Sequence, residues 1–108
     1  MKQRISSIHL QKLDRQQQNK LRELWEPQEG EYMATGDHEE MIYFLNGVQK
    51  NKSLPLLSLG QMIAYLSQPG DKLTVNFSED TWEVTVDGRT FKDFELCSAL
   101  FEALISKL

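Results

Sequence analysis

Two stretches in which apolar and polar side chains strictly alternate constrain this chain most. They cover residues 72–77 and 82–86. A period of two is typical of strands that bury one face. The inner faces would carry Leu73, Val75 and Phe77 on the first strand, and Trp82, Val84 and Val86 on the second. Since an isolated hairpin is marginally stable in water, we expect another element to cover this apolar face.

The C-terminal segment has the spacing of that covering element. Residues 94–107 predict a helix, with Asp93 as its N-cap and Glu95 favourably placed near its positive end. The apolar stripe on this helix consists of Cys97, Leu100, Phe101, Leu104 and Leu108. We therefore predict that a hairpin and a C-terminal helix supply most of the core.

Two more helices are predicted from capping boxes, in which two side chains satisfy free backbone N–H groups of the first turn. Asp14 with Gln17 opens a helix over residues 13–25 that ends before Pro27. Ser58 with Gln61 opens a second helix over residues 58–67. The expected buried residues are Leu21, Leu24 and Trp25 in the first helix, and Leu59, Met62, Ile63 and Leu66 in the second.

Residues 31–45 predict another hairpin, and two turns compete to close it. Gly36-Asp37 would pair residues 32–34 with residues 41–45. Asn46-Gly47 would instead pair residues 41–45 with residues 48–52, and both turns together would give a three-stranded meander. The continuous apolar run over residues 41–45 favours a strand that is covered on both faces. The sequence leaves the choice of turn open.

The predicted element order is α-β-β-α-β-β-α, which is an α+β fold with about four antiparallel strands and three helices. The length of 108 residues fits a single domain over residues 1–108. Residues 1–13 match neither period. They are compatible with a short strand, a helical turn or a loosely packed, flexible arm.

Cysteine content and charge narrow the setting of the protein. The single cysteine excludes a disulfide within the chain and favours a cytoplasmic location. We find no secretory signal sequence and no apolar run of membrane-spanning length. The net charge of −4 is unevenly distributed: residues 1–22 hold six basic residues and one acidic one, whereas residues 23–47 hold seven acidic residues and no Lys or Arg.

The search for chemistry in the sequence finds no catalytic site. The chain has no nucleophile motif and no glycine-rich phosphate loop, and its cysteine lies on a predicted core face. Residues 37–40 are the only dense group of metal-ligand side chains, but four consecutive turn residues point in different directions, so we expect a solvated turn. We predict no enzyme activity, no metal, no cofactor and no small-molecule substrate.

Protein binding is the leading functional hypothesis, with a protein partner or a second copy of the chain as ligand. Aromatic residues flanked by acids suit such a surface. The candidates are Trp25, Tyr32, Tyr43, Phe44, Glu39 and Glu40. For Trp25 the alternative is that it packs the first helix against the sheet.

Nucleic-acid binding through the basic segment is the alternative hypothesis. It would use Lys2, Arg4, Lys12, Arg15, Lys20 and Arg22. Residues 1–22 contain no aromatic residue on which a base could stack, which makes this hypothesis the weaker one.

Residues 24–31, Leu-Trp-Glu-Pro-Gln-Glu-Gly-Glu, carry a short Trp-x-Pro-x-x-Gly-acidic motif. A Leu-Pro segment opens a short helix at residues 54–62, and Ala-Leu pairs lie at residues 99–100 and 103–104. In these features the chain resembles small uncharacterised proteins of bacterial phages and prophages. The resemblance implies a cytoplasmic bacterial accessory domain and carries over no activity or site.

Overall fold

The computed structural model describes all residues, Met1–Leu108, and has an α+β fold, as the sequence predicts. It contains four α-helices and six strands in two three-stranded antiparallel sheets. The elements are α1 (Ser7–Leu10), α2 (Arg15–Leu24), β1 (Tyr32–Thr35), β2 (His38–Met41), β3 (Leu54–Pro55), α3 (Leu59–Leu66), β4 (Leu73–Ser78), β5 (Thr81–Val86), β6 (Arg89–Asp93) and α4 (Leu96–Ile105). Two 3₁₀ turns, Leu45–Gly47 and Lys50–Lys52, precede β3.

The chain divides into two compact units. The N-terminal unit is Ile5–Leu57 with Leu108, and the C-terminal unit is Ser58–Lys107 with Met1–Arg4. That residues 1–108 form a single domain stays a prediction.

The N-terminal unit is built on the sheet β2-β1-β3. Gly36-Asp37 closes the β1–β2 hairpin, which settles the competition between the two predicted turns. The other turn, Asn46-Gly47, lies in a 3₁₀ turn and pairs no strands. Helix α2 begins with the predicted capping box, in which the Asp14 carboxylate accepts from the Gln17 N–H at 2.7 Å.

Three predictions for the N-terminal unit need correction. Leu24, the last residue of α2, is 51% exposed, whereas Leu21 and Trp25 are buried as predicted. The apolar run over residues 41–45 is not a strand covered on both faces, since β2 ends at Met41 and only Ile42 within the run is buried. Residues 5–13 form no loose arm, because they contain α1 and bury Ile5, Leu10 and Leu13.

The C-terminal unit is a meander, β4-β5-β6, with α4 packed on β5, β6 and α3. Helix α4 buries the predicted residues Cys97, Leu100, Phe101 and Leu104, and β5 buries Val84 and Val86. Residues 1–4 belong to this unit. Arg4 forms an antiparallel β-bridge with Ser58, and the Gln3 carbonyl accepts from the Leu59 N–H at 3.0 Å.

Several predictions for the C-terminal unit also need correction. The alternating pattern predicts two strands, but β6 adds a third. Glu95, not Asp93, is the N-cap of α4; the Asp93 carboxylate instead accepts from the Glu95 N–H at 2.8 Å. The remaining apolar residues of this unit that were predicted to be buried are only partly covered or exposed: Leu59, Ile63, Leu73, Val75, Phe77 and Trp82. The same holds for Leu108, which belongs to the N-terminal unit.

Candidate interaction surface

Two adjacent aromatic residues are exposed shortly after β2, from which Ile42 separates them. Tyr43 is 69% exposed and Phe44 is 72% exposed, and Leu45 beside them is 47% exposed. We call these three residues the aromatic segment. Single exposed apolar residues are ordinary, whereas a contiguous group is a feature of binding surfaces.

Backbone hydrogen bonds hold the aromatic segment outside the core. The Ile42 N–H donates to the Glu31 carbonyl at 2.7 Å, and the Ile42 carbonyl accepts from the Gly30 N–H at 2.8 Å. These bonds fix Ile42 with its side chain buried, at 2% exposure. Tyr43, the next residue, lies in a bend outside the sheet, and its side chain is exposed to solvent.

A 3₁₀ turn completes the segment. The Phe44 carbonyl accepts from the Gly47 N–H at 3.1 Å, and the Leu45 carbonyl accepts from the Val48 N–H at 3.1 Å. The chain therefore turns immediately behind the exposed rings. An open depression of about 210 Å³ lies at their base and is lined by Met33, Glu40, Met41, Ile42, Tyr43, Phe44, Asn46 and Gly47.

The two acidic candidates have different surroundings. Glu40 lines the depression, and its carboxylate lies 3.4 Å from Nε2 of His38. Glu39 accepts a 2.7 Å hydrogen bond from the backbone N–H of Ser7, at the start of α1. Glu39 and Glu40 are consecutive strand residues, which point to opposite faces of a sheet. Only Glu40 therefore borders the aromatic segment.

Trp25 does not belong to this surface. It is 1% exposed and forms a buried cluster with Met33 and Ile42. Its side chain cannot contact a partner, so the core alternative for this residue is the correct one. Tyr32 is half-buried on β1 and does not line the depression. Of the six predicted contact residues, Tyr43, Phe44 and Glu40 lie together.

The basic residues of the alternative hypothesis are spread over both units. Lys2 and Arg4 belong to the C-terminal unit, and Lys12, Arg15, Lys20 and Arg22 belong to the N-terminal unit. Several of them are engaged within the fold: Lys2 Nζ lies 3.8 Å from Glu95, Lys20 Nζ donates to the Leu108 carbonyl at 2.7 Å, and Arg22 Nε donates to the Ser53 carbonyl at 3.1 Å. Nucleic-acid binding stays a prediction.

A second, more polar cavity of about 360 Å³ lies in the N-terminal unit, among α1, α2 and the sheet. Arg22 lines this cavity, but its guanidinium donates to the Ser53 carbonyl and to Oδ1 of Asn19 at 3.1 Å each. These contacts hold the cation in place as part of the fold. Arg22 is also the one predicted site residue that lines this cavity, whereas Tyr43, Phe44 and Glu40 line the depression, so the aromatic segment is the better candidate surface.

Chemical groups elsewhere give no competing site. No three or more His, Cys, Asp or Glu side chains are grouped to hold a metal ion. Cys97 is fully buried, and this burial, together with the nearby Glu95 carboxylate, raises the pKa of its thiol to about 11. A thiol with such a pKa stays protonated and is a weak nucleophile at neutral pH.

Sequence reasoning missed part of the exposed apolar surface. It placed Val75 and Phe77 in the core, although they are 39% and 52% exposed. It also did not identify the polar residue Asn46 and Gly47 as lining the depression. Phe94, at 80% exposure, was assigned no role. The alternating pattern shows that Val75 and Phe77 share a face, but it gives no signal for how much of that face a helix covers.

No helix of the chain has the length and apolar character needed to cross a membrane. Comparison of the chain with protein-family models, with curated proteins and with solved structures found no match in any of the three.

Proposed function

We propose that this chain is a non-enzymatic accessory domain that binds another protein through the aromatic segment, Tyr43, Phe44 and Leu45. The observation that carries the proposal is the contrast within three consecutive residues: Ile42 is 2% exposed, whereas Tyr43 and Phe44 are 69% and 72% exposed. Aromatic side chains supply much of the binding energy in protein interfaces when they are buried against a partner.

The surroundings of the segment suit a binding role. The hydrogen bonds of Ile42 and of the following 3₁₀ turn hold the backbone on both sides of the two rings. A preorganised segment loses less conformational entropy on binding than a mobile one. The depression of about 210 Å³ at the base of the rings gives an apolar side chain of the partner a place to dock.

The charge around the segment selects the kind of partner. Residues 23–47 carry seven acidic residues and no Lys or Arg, and Glu40 borders the depression itself. An acidic rim attracts a basic partner and repels acidic ones, with its main effect on the association rate. We therefore propose a partner with Lys or Arg residues around an apolar centre. A second copy of the chain qualifies through its own basic residues 1–22.

The proposal includes a cytoplasmic bacterial setting and a phage or prophage origin. Both rest on the sequence alone: the motifs at residues 24–31 and 54–62, and the single buried cysteine.

The test is a comparative capture experiment from cells that naturally produce the chain. The bait is the tagged chain, either unchanged or carrying Tyr43→Asp with Phe44→Asp. Ile8→Asp is the matched control, since Ile8 is also apolar and 71% exposed, and it belongs to the same unit. We expect a defined protein to be enriched by the unchanged chain and by Ile8→Asp, and to be lost with the double variant. Equal capture by all three baits would contradict the proposal.

A further inference from the structure

The edge strand β4 of the C-terminal unit is exposed along almost its whole length. All five residues 74–78 are exposed, and no strand pairs with β4 on the side away from β5. The strand is regular, with six consecutive residues in register with β5. Edges of this kind are usually protected by charged residues, by proline or by a bulge. Residues 73–78 contain no charged residue and no proline, and the register contains no bulge.

The free backbone groups of β4 belong to its odd-numbered residues. The Lys72 carbonyl accepts from the Asp87 N–H at 3.3 Å, so the backbone groups of Lys72 point toward β5. Backbone groups in an antiparallel ladder alternate between the two neighbouring strands. The N–H and C=O groups of Leu73, Val75 and Phe77 therefore point to the open side of the sheet.

The same three residues carry the apolar face. In the register with β5, Val75 lies opposite Val84, and Phe77 lies opposite Trp82. Helix α4 packs on β5 and β6, where Val84 and Val86 are buried, but Val75 and Phe77 remain 39% and 52% exposed. The sheet thus has an apolar face that continues beyond its covering helix, next to an unpaired edge.

We propose that β4 pairs with β4 of a second copy of this chain, in antiparallel register about a two-fold axis at Val75. The arrangement of outward-facing residues supports a second copy as the partner. In this register, Val75 lies opposite Val75 of the other copy, and Leu73 lies opposite Phe77. Every outward-facing residue then exchanges backbone hydrogen bonds with another outward-facing residue. A register centred on the next residue, Asn76, would place Leu73 opposite Glu79. This register is less favourable, because Glu79 lies in the turn with φ +53° and does not continue the strand.

Charge complementarity also favours antiparallel self-pairing. Lys72 lies at one end of β4, and the acidic turn residues Glu79 and Asp80 follow the other end. Antiparallel pairing brings Lys72 of one copy close to the acidic turn of the other. Asp71, beside Lys72, would repel the acidic turn, but its charge is already paired with Lys107, whose Nζ lies 3.0 Å from the Asp71 carboxylate. The two sheets would join into one six-stranded sheet with a continuous apolar face, which is an isologous interface.

The inference rests on the C-terminal unit and does not depend on the proposed function, which concerns the aromatic segment. Its test is sedimentation velocity over a range of concentrations, for the unchanged chain and for Val75→Lys and Val75→Glu. Two like charges would face each other at the axis in each variant, so we expect the dimer dissociation constant to rise by more than about tenfold. A mixture of the two variants should form a heterodimer, because Lys and Glu then face each other.

Thr74→Lys is the matched control. Thr74 is an exposed neighbour of Val75 on the same strand, but it points to the opposite face of the sheet. This variant should remain dimeric, and thermal unfolding should confirm that all variants are folded. A monomeric unchanged chain at hundreds of micromolar would overturn the inference. A dimer that is equally stable in Val75→Lys, or a Lys and Glu mixture that stays monomeric, would also overturn it.

Discussion

The ring centroids of Phe77 and Trp82 lie 4.8 Å apart, with the ring planes inclined by 51°, on the neighbouring strands β4 and β5. This tilted arrangement is among those that aromatic pairs favour. Trp82 is half-buried and Phe77 is 52% exposed, so the pair marks the border between the covered and uncovered parts of one sheet face. The apolar pattern continues across this border although the core does not.

Replacing a Phe by Ala should lower the free energy of unfolding much more in the covered core than on the uncovered part of this sheet face. Phe101 on α4 is fully buried, so Phe101→Ala should lower the free energy of unfolding by about 3–5 kcal/mol. Phe77→Ala removes a half-exposed ring and one aromatic contact, so it should cost about 1 kcal/mol. Urea unfolding of both variants at a concentration where the chain is monomeric measures these values. Equal costs would show that β4 is covered after all.

The two turns of the meander predict opposite responses to substitution. The first turn holds Glu79 and Asp80 at φ +53° and +61°, and the second holds Asp87 and Gly88 at φ +52° and +82°. Positive φ favours glycine, so Asp80→Gly should stabilise the chain by about 0.5–1 kcal/mol, and Gly88→Ala should destabilise it by about 1–2 kcal/mol.

A Cβ at Gly88 would meet no atom within 4 Å, so the loss of stability expected for Gly88→Ala comes from the backbone conformation alone. Thermal unfolding measures both effects. Destabilisation by Asp80→Gly would mean that the left-handed geometry assigned to the first turn is wrong.

An Asp substitution should be tolerated at positions 43 and 44 but not at the neighbouring position 42. Ile42→Asp buries a carboxylate without a partner and should unfold the chain. Tyr43→Asp and Phe44→Asp lie at exposed positions and should change the free energy of unfolding by less than about 0.5 kcal/mol. Circular dichroism with thermal unfolding separates these outcomes. If Tyr43→Asp were as damaging as Ile42→Asp, the aromatic segment would be part of the core and not a surface.

Cys97 predicts a loss of stability at high pH. Burial raises the pKa of its thiol from 9.0 to about 11, so the folded chain holds the proton more tightly than the unfolded chain does. This contribution is fully present below pH 9 and is lost as the pH rises through 11, by an amount on the order of 2 kcal/mol. Denaturant unfolding between pH 8 and 11 should therefore show a steeper decline for the unchanged chain than for Cys97→Ala. Parallel declines would exclude Cys97 as the cause.

Local patterns in the sequence were sufficient for much of this fold. Both capping boxes were predictable, because they depend on side chains three residues apart: Asp14 with Gln17, and Ser58 with Gln61. The apolar stripe of α4 follows from its helical period, and Gly36-Asp37 correctly indicated the first hairpin. The missed strand β6 had a local signal as well, since Asp87-Gly88 is a favoured hairpin turn.

Other features could not be predicted because they depend on distant residues. An alternating pattern shows which side chains share a face, but not whether another element covers that face, as Val75 and Phe77 demonstrate. The apolar run at residues 41–45 resembled a buried strand, yet the pairing of β2 ends where its partner β1 begins, at Tyr32 opposite Met41. The candidate surface exists because the chain leaves the sheet at this point.

Site-specific photo-crosslinking at position 44 tests the central claim most directly. A benzophenone amino acid would replace Phe44 in one variant and Ile8 in another, two positions with nearly equal exposure of 72% and 71%. Irradiation of cells that produce these variants should give one discrete crosslinked species from position 44 and none from position 8. The absence of a product at position 44, or the same products from both positions, would contradict a binding role for the aromatic segment.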